Sequence, residues 1–211
     1  MPPPSMTNAI RFINKILNFL KPLCNNTDMK KKIYINAPIT LGFALIGLIV
    51  LVLGIVSKGA ITTKYFMTYR SSWSDPLTYL RLVTHVFGHA SVSHYAGNMV
   101  YILLLGPILE EKYHKDLLYI ILLTAVITGL INNLFFTGGL LGSSGICFAF
   151  ILLASVTGRQ KGIPLTLLLV AVFWIGNEIY TGLTATDQIS QLTHIIGGLC
   201  GGMIGMFLKD N

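Results

Sequence analysis

Two side chains that could together cleave a peptide bond lie at the ends of apolar segments of this chain. Ser144 is in the run Gly-Ser-Ser-Gly at residues 142–145, and His194 lies near the start of another apolar segment 50 residues later. A serine hydroxyl is a weak nucleophile until a neighbouring base takes its proton, and histidine is suited to that task near neutral pH. An ionisable residue inside a membrane span is costly and is therefore a functional candidate by default. The pair predicts a hydrolase that works inside a lipid bilayer.

The composition indicates a protein that is solvated mostly by lipid. Hydrophobic residues make up 53% of the 211 residues, charged residues only 11%, and the mean hydropathy is +0.69. A soluble domain of this length would need far more charge to cover its surface. The composition therefore predicts an all-α polytopic membrane protein with the lipid bilayer as its environment.

Uncharged segments predict the membrane-spanning helices, because about 20 residues at ~1.5 Å each cross a hydrocarbon core of ~30 Å. The longest uncharged stretch is too long for one helix and is divided by Thr-Gly-Gly at residues 137–139. The fourth and fifth helices are short, so we expect their ends to be recessed in protein or in thinned bilayer. Six transmembrane helices are predicted, over residues 37–57, about 92–109, 117–136, 144–157, 163–177 and 188–208.

The basic residues predict the orientation of these helices. Eleven of the 15 Lys and Arg residues lie before the first helix, between helices two and three, between helices four and five, or at the end of the chain. By the positive-inside rule, these ends face the cytoplasm, so the chain is predicted to be a multi-pass protein of the cell membrane with both termini cytoplasmic. The other four lie in the long connection between helices one and two, which is assigned to the outer side. The net charge of +7 then reflects topology and anionic lipids, and no nucleic-acid partner is predicted.

The first 35 residues are predicted to be a cytoplasmic segment ahead of a membrane domain at residues 36–211. Ile10, Ile13, Leu17 and Leu20 recur at helical spacing, which favours a short amphipathic helix on the cytoplasmic leaflet. An ordinary surface anchor is favoured over a regulatory role. Charge interrupts the apolar run and no small-residue cleavage site follows, so a signal peptide is not predicted.

The long outer connection carries aromatic residues such as Tyr65, Trp73 and Tyr79. Aromatic side chains of this kind belong at the headgroup level, and long connections in compact proteins are usually functional or disordered. We expect a structured element that is half-sunk in the outer leaflet.

His94 and Asn98 are four residues apart in the second predicted helix and so share one face. From the predicted topology, His94, Ser144 and His194 all lie at a similar depth toward the outer side. Neutral donors such as His94 and Asn98, together with the backbone N–H of Ser144, could stabilise an oxyanion that develops on a substrate carbonyl.

No carboxylate is in an obvious position to complete a triad. Asp187 lies beyond the membrane end of helix six, and Glu178 lies beyond that of helix five. The sequence therefore predicts a dyad of Ser144 and His194.

Small residues at four-residue spacing predict close helix packing around this site. His194, Gly197, Gly201 and Gly205 form one stripe of helix six, and such residues let membrane helices approach closely. The alternative is that the glycines are only a packing seam and that His194 is a satisfied core histidine. The depth that His194 shares with Ser144 favours a functional role.

The remaining polar residues are interpreted as structural, and neither a metal nor a cofactor is predicted. His85 and His89 are four residues apart and are expected to share one helical turn near the outer headgroups. They lack a third metal ligand at matching spacing, so hydrogen bonding to the loop or to water is favoured. Glu110 and Glu111 are most simply solvated or paired with nearby lysines. Three cysteines without paired spacing are interpreted as packing residues: Cys24, Cys147 and Cys200.

These residues resemble the signature of rhomboid intramembrane serine proteases. A Gly-x-Ser-Gly run alone is a weak signal, but three elements in order on a chain with six predicted helices are a strong one. The resemblance covers helices one to six. Glu110 also stands where bacterial rhomboids commonly carry that residue type, and the resemblance offers a buried hydrogen-bonding role as the alternative to a solvated or paired Glu110. Three elements carry it, in chain order: His94-x-x-x-Asn98, Gly142-x-Ser144-Gly145 and His194-x-x-Gly197.

The resemblance implies an intramembrane serine endopeptidase that cleaves transmembrane segments of membrane-protein substrates near the outer membrane face. It implies that Ser144 is the nucleophile and that His194 is the general base and then the acid. His94, Asn98 and the Ser144 N–H are implied as the oxyanion site. Because a helix keeps its backbone groups bonded, the substrate must unwind to present a carbonyl, and we expect helix-breaking or small residues near the scissile bond.

Three positions depart from the family pattern. Arg81 matches the arginine of the family's outer-loop motif, but Leu80 replaces the tryptophan that usually precedes it. Phe148 stands where a tyrosine often stacks on the catalytic histidine, and Thr193 stands where alanine is usual. These departures concern the orientation of the outer loop and the setting of the histidine.

Two alternatives remain: a non-catalytic rhomboid-like protein that binds transmembrane partners, and a small membrane transporter. Non-catalytic relatives typically lack the serine or the histidine, and both are present here. A transporter built on glycine-rich helices should show inverted repeats with broken helices, which the sequence does not display.

Overall fold

The structure is a computed structural model that describes residues 34–156, the helix Ile189–Phe207 and six isolated positions between them. The predicted N-terminal amphipathic helix lies outside the described residues, and so does most of the predicted fifth helix. The backbone of His194 is described as part of a helix, but its side chain is not among the described ones.

The described residues are mostly helical. Five of the helices correspond to the first four predicted helices and the sixth. The largest difference between predicted and observed bounds is at the end of the second predicted helix. It continues to Tyr113 instead of ending at about residue 109, because its charged last turn stays helical. In chain order, the elements are α1 Pro38–Val56, α2 Ala60–Tyr65, α3 Pro76–Thr84, a 3₁₀ turn at His85–Phe87, α4 Val92–Tyr113, α5 Asp116–Phe135, α6 Ser144–Val156 and α7 Ile189–Phe207.

Three helices of the described part are long and apolar enough to cross a membrane. They are α1, α4 and α5, with 19, 22 and 20 residues, and an 18-residue window of each has a mean hydropathy of 2.9, 1.3 and 2.0, respectively. Their large apolar side chains point outward, as Leu45, Ile49 and Val52 do along α1. An apolar exterior of this extent is unfavourable in water, so it is suited to lipid.

The helix α6 differs from these spans because most of its described side chains are buried in protein. Its residues Ile146, Phe148, Ala149 and Leu153 are each at most 1% exposed. With 13 residues it is about 20 Å long, too short to cross a hydrocarbon core of about 30 Å. The neighbouring helices α4, α5 and α7 surround it. The expectation that the ends of this short helix are recessed in protein is confirmed for its N-terminal end, while the C-terminal end stays a prediction.

Glycines let α7 approach α5 and α6 closely. A Cβ atom added to Gly197 would overlap the Cγ2 of Thr128, and one added to Gly201 would overlap Thr124 and lie 2.8 Å from the Cβ of Ala149. A larger side chain at either position would push the helices apart. The predicted close packing of helix six is therefore confirmed.

The connection between α1 and α4 is folded and is fastened to the end of α5. Thr68 and Leu140 form an antiparallel bridge with N–O distances of 2.9 and 2.7 Å. The amides of Asn132 and Asn133 donate hydrogen bonds to the carbonyls of Thr68 and Tyr69 at 3.2 and 3.0 Å. The expected structured element is present, while its immersion in the outer leaflet stays a prediction.

Arg81 cross-links this connection from a buried position. Its Nε donates to the carbonyl of Lys64 at 2.8 Å, its Nη1 lies 3.4 Å from the Asp75 carboxylate, and its guanidinium lies 4.6 Å from the centre of the Tyr69 ring. A planar guanidinium can make all three contacts at once. Leu80 is 44% exposed, so the departure from the family's tryptophan falls on the surface.

Glu110 caps the start of α1, which corrects the simpler interpretation of this residue as solvated or paired with a lysine. One carboxylate oxygen accepts from the N–H of Ile39 at 2.8 Å, and the other accepts from the N–H and the hydroxyl of Thr40 at 2.9 and 2.8 Å. The first N–H groups of a helix lack partners within the helix and carry a partial positive charge. The buried Glu110 carboxylate accepts from these N–H groups and balances the partial positive charge. The neighbouring Glu111 is exposed.

Candidate active site

The candidate site is built around the N-terminus of α6. Gly142 has a φ of +115°, a conformation that favours glycine, and its N–H donates to the carbonyl of His85 at 3.0 Å. This turn leads into Ser144, the first residue of α6. The Oγ of Ser144 is buried and has no hydrogen-bond partner among the described residues. A buried hydroxyl without a partner is costly, so this atom is a candidate for chemistry.

The first turns of α4 bring a ring nitrogen of His94 and the amide nitrogen of Asn98 close to Gly142. The hydroxyl of Ser91 accepts from the N–H of His94 at 3.1 Å and so caps α4. A Cβ atom added to Gly142 would lie 2.8 Å from the Nε2 of His94 and 3.6 Å from the Nδ2 of Asn98. The predicted shared face of His94 and Asn98 is confirmed, and both nitrogens lie beside the residue two positions before Ser144. Their catalytic role stays a prediction.

His89 sets the orientation of the Asn98 amide. Its Nδ1 lies 3.1 Å from the carbonyl of Phe87, which can only accept, so Nδ1 carries the proton and Nε2 is the acceptor. The Nδ2 of Asn98 lies 3.2 Å from this Nε2 and therefore donates to it. The hydroxyl of Ser143 also lies 3.5 Å from the same nitrogen. This network assigns the NH₂ end of the amide to the side that faces His89 and Gly142.

Cys147 holds the same asparagine from α6. Its sulfur lies 3.5 Å from the backbone carbonyl of Asn98 and 3.7 Å from its Oδ1. The thiol is a weak donor, and it is fully buried. Its interpretation as a packing residue is confirmed, and its contact with Asn98 adds a role that the sequence did not reveal. Cys24 lies outside the described residues.

His85 and His89 do not lie on one helical turn, which corrects that part of the sequence analysis. His85 begins the 3₁₀ turn after α3, and His89 lies in the loop before α4. The ring of His85 faces the carbonyl of Arg81 at 3.1 Å and the hydroxyl of Thr128 at 3.2 Å. Burial lowers the pKa of each histidine to about 4. Both rings are therefore neutral at physiological pH, and the expected hydrogen bonding of both is confirmed.

The helix that carries His194 runs beside α6 in a defined register. A Cβ atom added to Gly198 would overlap the side chain of Phe148, and one added to Gly202 would lie 3.0 Å from Leu152. Successive turns of α7 therefore meet successive turns of α6, and the two helices run in the same direction. Phe148 lies against α7, as the family pattern implies for an aromatic residue at this position.

Sequence reasoning found Ser144, His94 and Asn98 but missed the residues that set their geometry. A glycine two positions before a candidate nucleophile was a usable signal for the backbone that Gly142 adopts. The contacts of His89 and Cys147 with Asn98 could not be predicted from the sequence, because they join separate elements.

Comparison with known families identifies the class of this protein. Residues 76–211, well over half of the chain, match the family model described as Rhomboid domain. The chain belongs to the rhomboid family. This rhomboid is also 26% identical over 171 residues to "Rhomboid protease GlpG" of Serratia proteamaculans (strain 568), an alignment that covers 78% of this chain and 60% of the relative. Together with its apolar helices, this membership identifies a mostly helical membrane protein of a protease family.

Proposed function

We propose that this rhomboid is an intramembrane serine endopeptidase that cleaves transmembrane segments of other membrane proteins near the outer membrane face. Ser144 is the proposed nucleophile, and His194 is the proposed base. The observation that carries the proposal is the buried Oγ of Ser144, which has no partner among the described residues. The nitrogens of His94 and Asn98 lie beside Gly142, two positions earlier in the chain. The proposed chemistry needs no cofactor.

The register of α6 and α7 supports the pairing of Ser144 with His194. Position 198 meets position 148, and position 202 meets position 152. One helical turn earlier on each helix, the same register pairs position 194 with position 144. This extrapolation uses only the backbone course of α7, and it supports His194 as the proposed base for Ser144.

In the proposed first step, the Ser144 oxygen attacks the substrate carbonyl while His194 takes the hydroxyl proton. The carbonyl oxygen then carries negative charge. It is stabilised by the NH₂ group of Asn98, by His94 and by the N–H of Ser144, which points out of the first turn of α6 together with the partial positive charge of the helix end. Because His89 and Cys147 already hold the Asn98 amide, this donor needs little reorganisation as the charge develops.

The intermediate collapses when His194 gives its proton to the leaving amine. A water molecule then attacks the acyl-enzyme with the same histidine as base, which restores the serine. The substrate must leave its helical form before the first step, because a helical carbonyl is already bonded and shielded. Substrates with small or helix-breaking residues near the scissile bond are therefore expected.

The proposed topology has six spans in the domain at residues 36–211, with residues 1–35 and the C-terminus in the cytoplasm. It follows from the distribution of basic residues and from the family. Cysteine tags at positions 64 and 160, in a chain without its native cysteines, should react with a membrane-impermeant reagent from opposite sides, with position 64 outside. Labelling of both positions from one side would refute the six-span arrangement.

A fluorophosphonate probe tests the proposed nucleophile without knowledge of the physiological substrate. The purified wild-type protein should be labelled and should cleave a model transmembrane substrate. Ser144→Ala and His194→Ala should each abolish cleavage. Ser144→Ala should keep the unfolding temperature, since its hydroxyl makes no hydrogen bond to another described residue. Ser143→Ala is the matched control. It removes the neighbouring hydroxyl but leaves the proposed nucleophile in place, so labelling should be kept.

Cleavage that persists in Ser144→Ala would end the serine-protease proposal. A wild-type protein that is folded but neither labelled nor active would favour the non-catalytic alternative, a rhomboid that binds transmembrane partners.

A further inference from the structure

A cleft of about 400 Å³ lies at the C-terminal end of α1, and neither Ser144 nor His94 nor Asn98 lines it. Its walls come from α1, from α2 and from the loops that precede α4 and α6. Leu51 and Ile55 supply apolar surface, whereas Lys58, Thr63 and His89 supply polar groups. The cleft is therefore amphipathic.

The cleft lies at the boundary between hydrocarbon and headgroups. Lys58 lies two residues after the end of α1, of which an 18-residue window has a mean hydropathy of 2.9. The end of such a span lies at the membrane surface. Leu51 is two turns earlier in α1, roughly 10 Å deeper at the rise of an α-helix. The polar part of the cleft is thus at the headgroup level, and its apolar part reaches toward the acyl chains.

Lys58 occupies a backbone position that usually requires glycine. Its φ is +52°, its N–H donates to the carbonyl of Ile55 at 3.1 Å, and the N–H of Gly59 donates to the carbonyl of Gly54 at 2.8 Å. This is the hydrogen-bond pattern of a Schellman motif, in which the residue at the position of Lys58 is most often glycine. A side chain there is disfavoured, so the lysine is retained at a cost to the fold.

We propose that this cleft binds the headgroup of an anionic phospholipid. The phosphate lies against the ammonium of Lys58, the Thr63 hydroxyl donates to it, and the upper acyl chain covers Leu51 and Ile55. Charge selects the anionic lipid, because Lys58 is the one charged residue among those that line the cleft and no carboxylate opposes it. The proposal does not depend on proteolysis, so it can be tested on the Ser144→Ala variant.

The cleft shares one wall with the candidate active site. His89 lines the cleft and also accepts the hydrogen bond from the Asn98 amide. A bound headgroup would therefore pack against the residue that orients this amide.

The test measures lipid binding to the purified full-length protein in detergent by native mass spectrometry. Phosphatidylglycerol and phosphatidylcholine with identical acyl chains are offered at equal concentration. The wild-type protein should retain phosphatidylglycerol about fivefold more strongly, the factor that one lysine near an anionic surface supplies. Lys58→Asn should remove this preference, because asparagine tolerates the left-handed backbone but carries no charge. Lys58→Arg should retain it.

Two further variants separate a defined site from general surface charge. Lys64→Asn removes a lysine of α2 that does not line the cleft, and the preference should remain. Thr63→Trp should fill the cleft and reduce the binding of both lipids. Equal retention of the two lipids by the wild type, or an equal loss in Lys64→Asn, would overturn the proposal.

Other occupants would also be revealed. Displacement of phosphatidylglycerol by inorganic phosphate at similar concentration would show an ion site instead of a lipid site. A change in KM for a transmembrane substrate in Lys58→Asn, with lipid retention unchanged, would assign the cleft to the substrate. A lower unfolding temperature in Lys58→Asn with unchanged lipid preference would show that the lysine serves only the end of α1. Each of these results contradicts the proposal.

Discussion

The two ends of α4 both bury polar side chains, but they use them differently. At the C-terminal end, the Glu110 carboxylate accepts three hydrogen bonds from the start of α1. At the N-terminal end, no hydrogen bond joins the ring nitrogens of His94 to another described residue. The neighbouring hydroxyl of Ser144 is buried and has no partner among the described residues either.

This difference separates a structural polar group from groups that are proposed to be functional. A buried carboxylate that is matched by donors stabilises the fold, whereas buried donors and acceptors without partners cost free energy. Such groups persist where a ligand or a transition state supplies the missing partner. One end of α4 therefore holds the helices together, and the other end carries the donors that are proposed to stabilise the oxyanion.

The sharpest test of this comparison is Asn98→Ala, with His94→Ala beside it. Each variant should lower turnover by about 10²–10³ with a smaller effect on KM, because the lost hydrogen bond matters chiefly when charge develops on the carbonyl oxygen. Turnover of the model transmembrane substrate and the unfolding temperature should be measured on the same preparations. Val100→Ala, at an exposed position of the same helix, should change neither quantity.

A loss of stability with normal turnover in the folded fraction would remove His94 and Asn98 from the active site. The N-terminal end of α4 would then be structural, like its other end.

The opposite result is expected at Glu110. Glu110→Gln removes the negative charge at the start of α1 and places amide hydrogens among N–H donors, so it should lower the free energy of unfolding by about 2 kcal/mol. The turnover of the folded fraction should stay within about twofold. Glu111→Gln is the control, since Glu111 is exposed on the same turn. If Glu110→Gln were as stable as Glu111→Gln, the cap would contribute nothing.

The smallest effect is expected for the dependence of the free energy of unfolding on pH. It arises from the neutral histidines His85 and His89, which lie beside the candidate site. Burial lowers the pKa of His85 to about 4, whereas an unfolded histidine has a pKa of about 6.5. Between these values the unfolded chain binds a proton that the folded chain does not, so stability is full above pH 6.5 and is lost as the pH falls toward 4. At pH 5.5 the loss from one such histidine is about 1 kcal/mol.

His85→Gln should therefore weaken the dependence of the unfolding temperature on pH between 4 and 6.5. Part of the dependence should remain, because the pKa of His89 is lowered by burial in the same way. An unchanged slope in His85→Gln would mean that this ring is protonated or hydrated in the folded protein.

Most helix bounds, which depend on local sequence, were predicted correctly. Contacts that depend on a residue distant in the chain were not. The course of α1, α5 and α6 followed from uncharged segments and breaking residues, because hydrophobic transfer and helical period are local. The simplest interpretation of Glu110, as solvated or paired with a lysine, was wrong because its partners, Ile39 and Thr40, are about 70 residues away. The buried hydrogen-bonding role that the family resemblance offered is confirmed. His85 and His89 were placed on one turn because spacing alone does not reveal a 3₁₀ turn followed by a loop.

By itself, the sequence determined that this is a helical membrane protein with rhomboid motifs, and it named Ser144, His94 and Asn98 as candidates. Motifs and composition can do this because they reflect residue types at short spacing. Only the tertiary structure decided how these residues are held: Gly142 in a left-handed turn, and the Asn98 amide fixed between His89 and Cys147. The physical reason is that a hydrogen bond forms over about 3 Å, and only the packing of α4 against α6 brings these groups within that distance.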